Sequence, residues 1–385
     1  MAPKAIMAGD EHRFDFPSLI LDHKPRSKRT VTLVDLDVDV YGLDEIRKSK
    51  LPICAVILSH GRCHSAKMMG TMASGILGEL DRLQAESGRE KVRDVIVVTL
   101  AAQALGAEMQ GEYCLKKAGI SSGKPVNELT YTWRWKLTTS RSFGIRGPQR
   151  PCDQLATSGA KAYLSTVPWG TFLTGVTADH RNHGARTRFR NTNLSYDKNP
   201  THLMDMAATV YAGAQDQKFI MDFLPSYLFP RGERTIDSFV PAGVSMGGHS
   251  VWRLLRHDPS VRFGIPIISI PSEVLGVNLE ERATQYGVSS EELIYPDGVR
   301  HYMMGVPPPG AYGGKKILVL SGGKDVSMPI ERAEPIIAKI SEEADVEWKV
   351  DEGAGHKISP DMVRWTADAV WRWTASKEAL PKAKL

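Results

Sequence analysis

The sequence has few of the features that mark secreted, metal-binding or membrane proteins. It has four cysteines in 385 residues, all in the first half and without metal-ligand spacing: Cys54, Cys63, Cys114 and Cys152. We therefore expect reduced thiols in an intracellular protein. Residues 1–16 carry charges throughout and lack the apolar core of a signal peptide. No apolar run approaches the roughly 18 residues of a membrane span. These absences predict a soluble, cytoplasmic protein with no membrane partner.

An excess of one charge is also lacking outside a single segment. Residues 101–174 hold nine Lys or Arg and four Asp or Glu, which accounts for the whole net charge of +5. The rest of the chain is balanced, so its surface is not that of a nucleic-acid-binding protein. We expect no nucleic-acid partner, and the sequence leaves the oligomeric state open.

Apolar runs and helical periodicities alternate along most of the chain. Alternating apolar and acidic residues over 30–40 predict a half-exposed strand. Continuous apolar runs predict further strands at 51–59, 94–100, 239–244, 264–270, 316–320 and 346–350. Helical spacing of apolar residues predicts helices at 65–83, 201–224, 330–340 and 360–375. This alternation predicts one α/β domain over residues 15–385, with a mostly parallel central sheet and helices on both faces.

Two stretches interrupt the alternation. Residues 272–314 contain tyrosines, methionines and three consecutive prolines between two strands, and we interpret them as an inserted cap over the C-terminal edge of the sheet. Residues 101–174 have no sustained period, and structureless loops of this length are rare in compact domains. Three interpretations of this insertion stay open: a disordered or loosely folded insert, translated sequence that does not belong, such as a retained intron, or a functional lid.

The most informative motif is Gly-Val-Ser-Met-Gly-Gly at residues 243–248. It lies between an apolar run and a helix-like run, which is the layout of a Gly-x-Ser-x-Gly nucleophile elbow. The glycines avoid collisions with the neighbouring strand or helix. The motif makes Ser245 the candidate nucleophile. Pro241 lies in the strand before the elbow, where it removes a ladder donor and can misplace the site.

A nucleophilic serine needs a base and an acid that orients the base. In this layout the acid and the base follow the serine along the chain, each on a loop directly after a strand. Asp325 and His356 each follow a predicted strand, so both reach the same edge of the sheet. Glu273 remains an alternative acid, whereas Asp351 is too close to His356 in sequence to support it.

Two backbone N–H groups must meet the oxyanion that forms during acyl transfer. One is expected from Met246, directly after the serine. The other is expected from the loop after the strand at 51–59, where Gly61 allows close approach and the N–H of Arg62 is the candidate. The Arg62 side chain is also a candidate for a charge near the acyl or leaving group, although a solvated loop arginine is the more ordinary role.

A contiguous polar run at 179–184 (Asp-His-Arg-Asn-His-Gly) contains two histidines. It has no second ligand cluster and no helical histidine spacing, so we expect neither a zinc site nor another metal site. A structural turn that braces the loops near the nucleophile is the favoured interpretation. His64 and His249 are expected to be non-catalytic, since each lies on or at the start of a predicted helix.

Four of these features occur together in one order: the His-Gly after an early strand, the turn at 179–184, the elbow, and the acid followed by the base. In this combination the chain resembles the α/β-hydrolase superfamily. Within it, the chain is similar to fungal serine hydrolases in which a turn like Asp-Gln-Arg-Asn-His-Gly precedes a Gly-Val-Ser-x-Gly-Gly elbow. The likeness covers residues 15–100 and 175–380 and implies an α/β-hydrolase fold, a small-molecule acyl substrate and no cofactor.

The resemblance also implies the role of each site residue. Ser245 would be the nucleophile, His356 the base and Asp325 the orienting acid, with the backbone of Met246 and Arg62 forming the oxyanion hole. The chain is thus predicted to be a serine hydrolase that cleaves an ester, thioester or related acyl bond. The tyrosines, methionines and prolines of the cap hint at an apolar acyl or alcohol group. An acyltransferase, a prolyl-oligopeptidase-like small-peptide hydrolase and a non-catalytic protein disabled by the insertion remain alternatives.

Overall fold

A computed structural model of the chain describes residues 23–62, 66–88, 90–100, 180–288 and 294–379. Within them, eight strands form one sheet. The strands are β1 (Lys28–Leu33), β2 (Leu36–Tyr41), β3 (Ile53–Ser59), β4 (Asp94–Leu100), β5 (Ile236–Val244), β6 (Phe263–Ile267), β7 (Lys316–Gly322) and β8 (Asp345–Asp351). Their order across the sheet is β1-β2-β4-β3-β5-β6-β7-β8. Strand β2 is antiparallel to β1 and β4, and all other neighbours are parallel. The predicted mostly parallel sheet is confirmed.

The described helices match the predicted helical periodicities and add two between β6 and β7. They are α1 (Ala66–Ser87), α2 (His202–Leu228), α3 (Met246–His257), α4 (Ser272–Gln285), α5 (Asp297–Met304), α6 (Ile330–Ser341) and α7 (Pro360–Val370). A wide turn at Trp371–Ala375 continues α7 over the rest of the predicted closing helix. None of the described helices is long and apolar enough to cross a membrane.

Two apolar cores lie on opposite faces of the sheet. Successive side chains of a strand point to opposite faces, so in β3 Ile57 lies in one core and Leu58 in the other. The first core contains apolar side chains of α2, α3, α4 and α6, and the second contains those of α1 and α7. Burial on both faces explains why these strands read as continuous apolar runs. The prediction of helices on both faces is confirmed.

Residues 30–40 form a hairpin, so the prediction of one strand there is wrong. Strands β1 and β2 are joined at Val34 and Asp35, with Leu33 opposite Leu36. Val34 has a positive φ of 60°, which two-residue hairpin turns require and which a β-branched residue rarely adopts. The sequence therefore carried no turn signal, and the pairing of the two strands stabilises the unfavourable turn.

Strand β6 ends three residues before the predicted strand 264–270 does. Ile268 has a φ of 43°, and its N–H donates to the carbonyl of Leu320 at 2.7 Å. This turn takes the chain out of the sheet at Ile267. The carbonyl of Ile267 accepts a hydrogen bond from the N–H of Ser245 at 2.8 Å, so the end of β6 supports the elbow directly.

Pro241 does not interrupt β5. The register of β5 with β3 continues through the proline, which lies opposite Ile57, and the pairing with β6 begins at Ala242. Gly243 then lies opposite Ser59, the last residue of β3. The strand therefore brings the elbow to the sheet edge beside the loop that follows β3.

The two stretches that interrupt the alternation, 101–174 and 272–314, differ in how far the structure describes them. The predicted insertion at 101–174 lies outside the described residues. Of the segment 272–314, helices α4 and α5 are described, and they pack so closely that a Cβ on Gly276 would overlap Met304. Tyr295 and Met303 of this segment are buried in the first core. Its role as a cap over the site stays a prediction.

Candidate active site

Ser245 occupies a sharp turn between β5 and α3. Its φ of 53° and ψ of −112° lie outside the regions that L-residues prefer, a conformation that costs on the order of 1–3 kcal/mol. Two backbone hydrogen bonds hold the turn. The Ser245 N–H donates to Ile267, and its carbonyl accepts from the N–H of His249 at 2.9 Å. The strain and its support together place the hydroxyl clear of the sheet.

The glycines on either side of the serine are required by close backbone approach. A Cβ on Gly247 would lie 2.6 Å from the carbonyl oxygen of Ser59. A Cβ on Gly243 would overlap the backbone of Gly247. Since the obstructing atoms are backbone atoms, they cannot move aside as a flexible side chain would. The glycine pattern that identified the elbow in the sequence is therefore explained by packing of α3 against the ends of β3 and β5.

The structure brings Ser245, His356 and Asp325 together. The distance from Ser245 Oγ to His356 Nε2 is 2.8 Å, and that from His356 Nδ1 to Asp325 Oδ2 is 2.7 Å. Because the carboxylate can only accept when ionised, Nδ1 carries the proton and Nε2 is left to accept from the serine hydroxyl. This is the tautomer that a general base needs.

The loops that carry the acid and the base are tied to each other. Strands β7 and β8 are neighbours, and Gly322 lies opposite Asp351 where they end. The N–H of Gly323 donates to the carbonyl of Asp351 at 2.8 Å, and the N–H of Lys324 donates to that of Ala354 at 2.9 Å. These bonds fix the distance between the two loops, so Asp325 and His356 meet although they are far apart in sequence.

Further hydrogen bonds orient the Asp325 carboxylate. Its Oδ1 accepts from the N–H groups of Ser327 and Met328 at 2.9 and 3.0 Å. Its side chain is 1% exposed, whereas that of His356 is 18% exposed. The Asp325 carboxylate is thus held in a fixed orientation and shielded from water, whereas the His356 imidazole is partly exposed to solvent.

The alternative acids have other partners. Glu273, on α4, lies 3.3 Å from Nη1 of Arg256 and accepts from the hydroxyl of Tyr312 at 3.3 Å. Burial and the adjacent Glu273 raise the pKa of Tyr312 well above its usual range. Asp351 accepts from the N–H of Gly353 within its own turn. The structure therefore brings Asp325 to His356 and uses Glu273 elsewhere.

The candidate oxyanion donors leave adjacent strands. The loop after β3 contains Gly61 and Arg62, and the N–H of Gly247 at the start of α3 donates to the carbonyl of His60 at 3.1 Å. Met246 is the first residue of α3, where backbone N–H groups have no partner within the helix. Among the described residues, neither the Met246 N–H nor the Arg62 N–H has a hydrogen-bond partner. Both donors therefore remain available at the same edge of the sheet as Ser245.

Comparison with solved structures gives the fold. The protein TT1662 from Thermus thermophilus aligns with a TM-score of 0.52 and 14% identity, over 91% of this chain and 98% of that chain. The chain has the α/β-hydrolase fold.

Two further solved structures are similar to the chain. A carboxylesterase from Mesorhizobium loti aligns with a TM-score of 0.41 and 12% identity, over 89% of this chain and 98% of that chain. An acylaminoacyl peptidase from Pyrococcus horikoshii aligns with a TM-score of 0.47 and 11% identity, over 94% of this chain and 43% of that chain. No sequence profile of a known protein family matches the chain, and no curated protein matches it.

Within the hydrolase fold, His60 connects the loop after β3 to the polar turn. Its Nδ1 bonds the carbonyl of Gly61 at 2.7 Å, and its Nε2 accepts from the N–H of His180 at 2.9 Å. Its ring is fully buried and meets the His180 ring edge-on at 4.7 Å. Burial lowers the pKa of His180 to about 3. His60 therefore holds the loop after β3 in place, a role that its lone His-Gly signal in the sequence did not reveal.

The polar turn is also attached to α2. Arg181 and Arg186 both pair with the buried carboxylate of Asp216, each at 2.9 Å. Asp179, the first residue of the motif, lies outside the described residues, as does His64. The prediction that residues 179–184 brace the loops near the nucleophile agrees with the contacts of the described part of the turn.

The Arg62 side chain points to α2 in the hydrolase fold. Its Nη1 donates to Nε2 of His202 at 3.1 Å, and His202 Nδ1 donates to the carbonyl of Leu194 at 2.7 Å. Burial and the charge of Arg62 lower the pKa of His202 to about 4. The side chain thus links the loop after β3 to the start of α2, a contact that no local sequence signal indicates because 140 residues separate the partners.

The described residues offer few candidate groups for metal binding or thiol chemistry. No three His, Cys, Asp or Glu side chains there are grouped closely enough to hold a metal ion. Cys54 is buried in β3, and its burial raises the pKa of its thiol to about 11. A thiol of this kind is inert as a nucleophile.

Proposed function

We propose that the protein is a serine hydrolase that cleaves an ester, thioester or related acyl bond. The observation that carries the proposal is the continuous hydrogen-bonded chain from Ser245 Oγ through His356 to Asp325, at 2.8 and 2.7 Å. The strained elbow that presents the serine supports it. A nucleophile within reach of a base, with that base oriented by a third group, is the arrangement that acyl transfer requires.

In the proposed acylation step, Ser245 Oγ attacks the carbonyl carbon of the substrate. The serine proton moves to His356 Nε2, and Asp325 stabilises the imidazolium through the hydrogen bond to Nδ1. Collapse of the tetrahedral intermediate breaks the acyl bond, and His356 returns the proton to the leaving alcohol or thiol. Water then attacks the acyl-enzyme while His356 takes its proton. Collapse of the second tetrahedral intermediate releases the carboxylic acid product, and His356 returns the proton to Ser245.

The negative charge of the tetrahedral intermediate is assigned to the N–H groups of Met246 and Arg62. The dipole of α3 adds to this effect, since the N-terminus of a helix carries about half a positive charge. Removal of one such donor in serine hydrolases costs about 100- to 1,000-fold in kcat. The position of the elbow at the start of a helix is thus part of the chemistry as well as of the fold.

The neighbouring His249 is kept neutral. It is 1% exposed, and its Nδ1 donates to the carbonyl of Ile270 at 3.1 Å. Burial, with a smaller contribution from His356, lowers the pKa of His249 to about 4. At neutral pH it therefore adds no positive charge beside His356, so protonation of the base during acylation is not opposed.

Labelling with a fluorescent fluorophosphonate tests the proposal without knowledge of the substrate. The probe needs only an activated serine and an oxyanion hole. We expect the wild-type protein to be labelled and Ser245→Ala to be unlabelled. Ser250→Ala is the matched control, because Ser250 lies on the same helix and its buried hydroxyl donates to the carbonyl of Val210. It should retain labelling.

Two outcomes would overturn the proposal. One is a folded wild-type protein that takes up no label, and the other is labelling that persists in Ser245→Ala. If labelling depends on Ser245, a panel of p-nitrophenyl esters and thioesters of increasing acyl length identifies the preferred acyl group. Release of free acid with water as the only acceptor separates a hydrolase from an acyltransferase.

A further inference from the structure

A cleft of about 470 Å³ lies at the C-terminal end of α3. Helix α3 has 12 residues, so at a rise of about 1.5 Å per residue the cleft is roughly 16 Å along the helix from the elbow. Its volume is in the range of small-molecule sites. Its walls come from α2, α3, α5 and the residues after α5. The apolar and aromatic part of the wall comprises Tyr211, Ala214, Leu254, Tyr302, Val306 and Pro308.

Arg253 is one of two deeply buried arginines that line the cleft. It is 5% exposed, lies 3.5 Å from the centre of the Tyr302 ring, and donates from Nη1 to the carbonyl of Tyr302 at 3.1 Å. It makes no ion pair with any described carboxylate. Burial and, to a smaller extent, the charge of Arg256 lower the pKa of Arg253, whereas Tyr302 and Tyr211 raise it.

The surroundings of Arg256 do not offset the positive charge of Arg253. Its Nη2 donates to the carbonyl of Gly305, and its Nη1 lies 3.3 Å from Glu273. Its Nε and Nη1 are buried without a hydrogen-bond partner in the part of the chain that the structure describes. Of these two buried guanidinium groups, that of Arg256 lies beside a carboxylate and that of Arg253 does not, which leaves one buried positive charge in excess.

The remaining charges of the cleft lie at its rim. Lys218 pairs with Asp222 and lies 3.8 Å from Asp258. The Asp222 side chain is 47% exposed, so water screens its pair with Lys218. Asp258 also lines the cleft and is 17% exposed, but it accepts hydrogen bonds from the N–H and hydroxyl of Ser260 and forms no ion pair with Arg253 or Arg256. Burial and the two arginines lower the pKa of His257 to about 4, so His257 is neutral at neutral pH.

We propose that this cleft binds a small amphipathic anion. A carboxylate, sulfonate or phosphate group would pair with Arg253, since a guanidinium binds such oxyanions through paired N–H groups. The apolar or aromatic body would pack against Tyr211, Tyr302 and Val306. Binding places an opposite charge beside the unbalanced guanidinium and covers aromatic surface. The site is separate from Ser245, and its occupancy does not depend on the acyl chemistry proposed there.

Fluorescence titration of the full-length protein with anilinonaphthalene sulfonate tests the proposal. N-phenylnaphthylamine is the matched probe, because it has the same aromatic body without the sulfonate. We expect saturable binding of one sulfonate probe per chain at the cleft, and at least about tenfold weaker binding of the neutral probe. Before the titration, Ser245 is blocked with a non-fluorescent fluorophosphonate. Probe fluorescence then reports binding at the cleft and not at the elbow.

Three variants assign the binding to the cleft. Arg253→Gln removes the buried charge, and Val306→Glu adds an anion at the mouth on a side chain that is 86% exposed. Each should weaken sulfonate binding about tenfold or more. Val34→Glu is the matched control, since Val34 is 74% exposed on the distant β1–β2 turn, and it should leave binding unchanged.

Contrary results are equally specific. If Val306→Glu binds the sulfonate probe as tightly as the wild type, or if the neutral probe binds equally well, the cleft is not an anion site. If Arg253→Gln is less stable but binds the probe normally, the arginine only braces α3 against Tyr302. Should Arg253→Gln fail to fold, as judged by near-UV circular dichroism, the exposed Val306→Glu variant decides the question.

Discussion

The two ends of α3 differ in how the side chains of their candidate sites are partnered. At the N-terminal end, the Ser245 hydroxyl, the His356 imidazole and the Asp325 carboxylate form one continuous chain of hydrogen bonds. At the C-terminal end, Arg253 has no carboxylate partner among the described residues, and the buried Nε and Nη1 of Arg256 make no hydrogen bond there, although Nη1 lies 3.3 Å from Glu273. One helix thus joins a complete polar network to an incomplete one.

The difference indicates two kinds of site. A fully satisfied network is rigid and pre-organised, so it can act on a substrate without rearranging. A buried charge without a partner is costly, and the cost falls when a ligand supplies the opposite charge. The complete end is therefore suited to chemistry and the incomplete end to binding.

The largest effect is expected from Ser245→Ala at the complete end. It removes the nucleophile, so kcat/KM for a p-nitrophenyl ester should fall by about 10⁴-fold or more. The elbow backbone is held by hydrogen bonds that alanine retains, so the free energy of unfolding in urea should change by less than about 1 kcal/mol. Ester hydrolysis within tenfold of the wild type would contradict the assignment of the nucleophile.

Asp325→Asn and Glu273→Gln should have opposite profiles. Asp325→Asn favours the wrong tautomer of His356 and should lower kcat by about 10³- to 10⁴-fold, with a modest change in stability. Glu273→Gln leaves Arg256 without a carboxylate and should lower the free energy of unfolding by about 2 kcal/mol or more, with kcat changed less than about threefold. A larger kcat loss in Glu273→Gln would transfer the orienting role to Glu273.

The same pair of variants bears on the cleft. Glu273→Gln increases the unbalanced positive charge there, so binding of anilinonaphthalene sulfonate should tighten. Asp325→Asn lies at the other end of α3 and should leave sulfonate binding unchanged. Equal effects of the two variants on the titration would show that the probe does not sense the charge of the cleft.

The meeting of Ser245, Asp325 and His356 at the complete end was predicted from the sequence because its signals are local. A strand, a glycine-rich turn and a helix occupy consecutive residues at the elbow. Asp325 and His356 each follow a strand, and the carboxyl ends of parallel strands lie at the same edge of the sheet. The choice between Asp325 and Glu273 was not available from spacing. It depends on the loop contacts that join β7 to β8, which form only in the folded chain.

The incomplete end had no sequence signal. Its wall combines side chains of α2, α3 and α5, and nothing in the spacing of Arg253 and Tyr302 indicates that they stack. The same reason explains why the contact of Arg62 with His202 was missed. The hairpin at Val34 was missed for a different reason. The alternation of apolar and acidic residues continues across the turn, so the local pattern predicts a single strand.

A smaller difference between the ends concerns pH. His249 at the complete end and His257 at the incomplete end both have a pKa of about 4, below the unfolded value of about 6.5. A lowered histidine pKa means that the unfolded chain takes up the proton first as the pH falls. The stability is therefore fully present above pH 6.5 and is lost as the pH falls from about 6.5 towards 4.

His249→Gln should reduce this acid sensitivity. Between about pH 7.5 and 5.5, a buried histidine with this pKa accounts for about 1 kcal/mol of lost stability, which glutamine does not lose. His257 is more exposed, so His257→Gln should have a smaller effect. Urea unfolding of both variants at the two pH values measures the difference. A wild-type slope retained in His249→Gln would show that His249 titrates normally.

The smallest effect is expected from Lys218→Met at the rim of the cleft. The methionine keeps the apolar stem, and a screened surface pair contributes less than about 0.5 kcal/mol, so stability should barely change. Sulfonate binding should weaken about two- to threefold, and the effect should multiply with that of Arg253→Gln because two separate charges act on one ligand.

At the other end, adding Asp325→Asn to Ser245→Ala should cause no further loss of activity, since the residues of one hydrogen-bonded chain act as a unit. Multiplying losses at the elbow, or non-additive ones at the cleft, would contradict the distinction between a connected network and a set of independent charges.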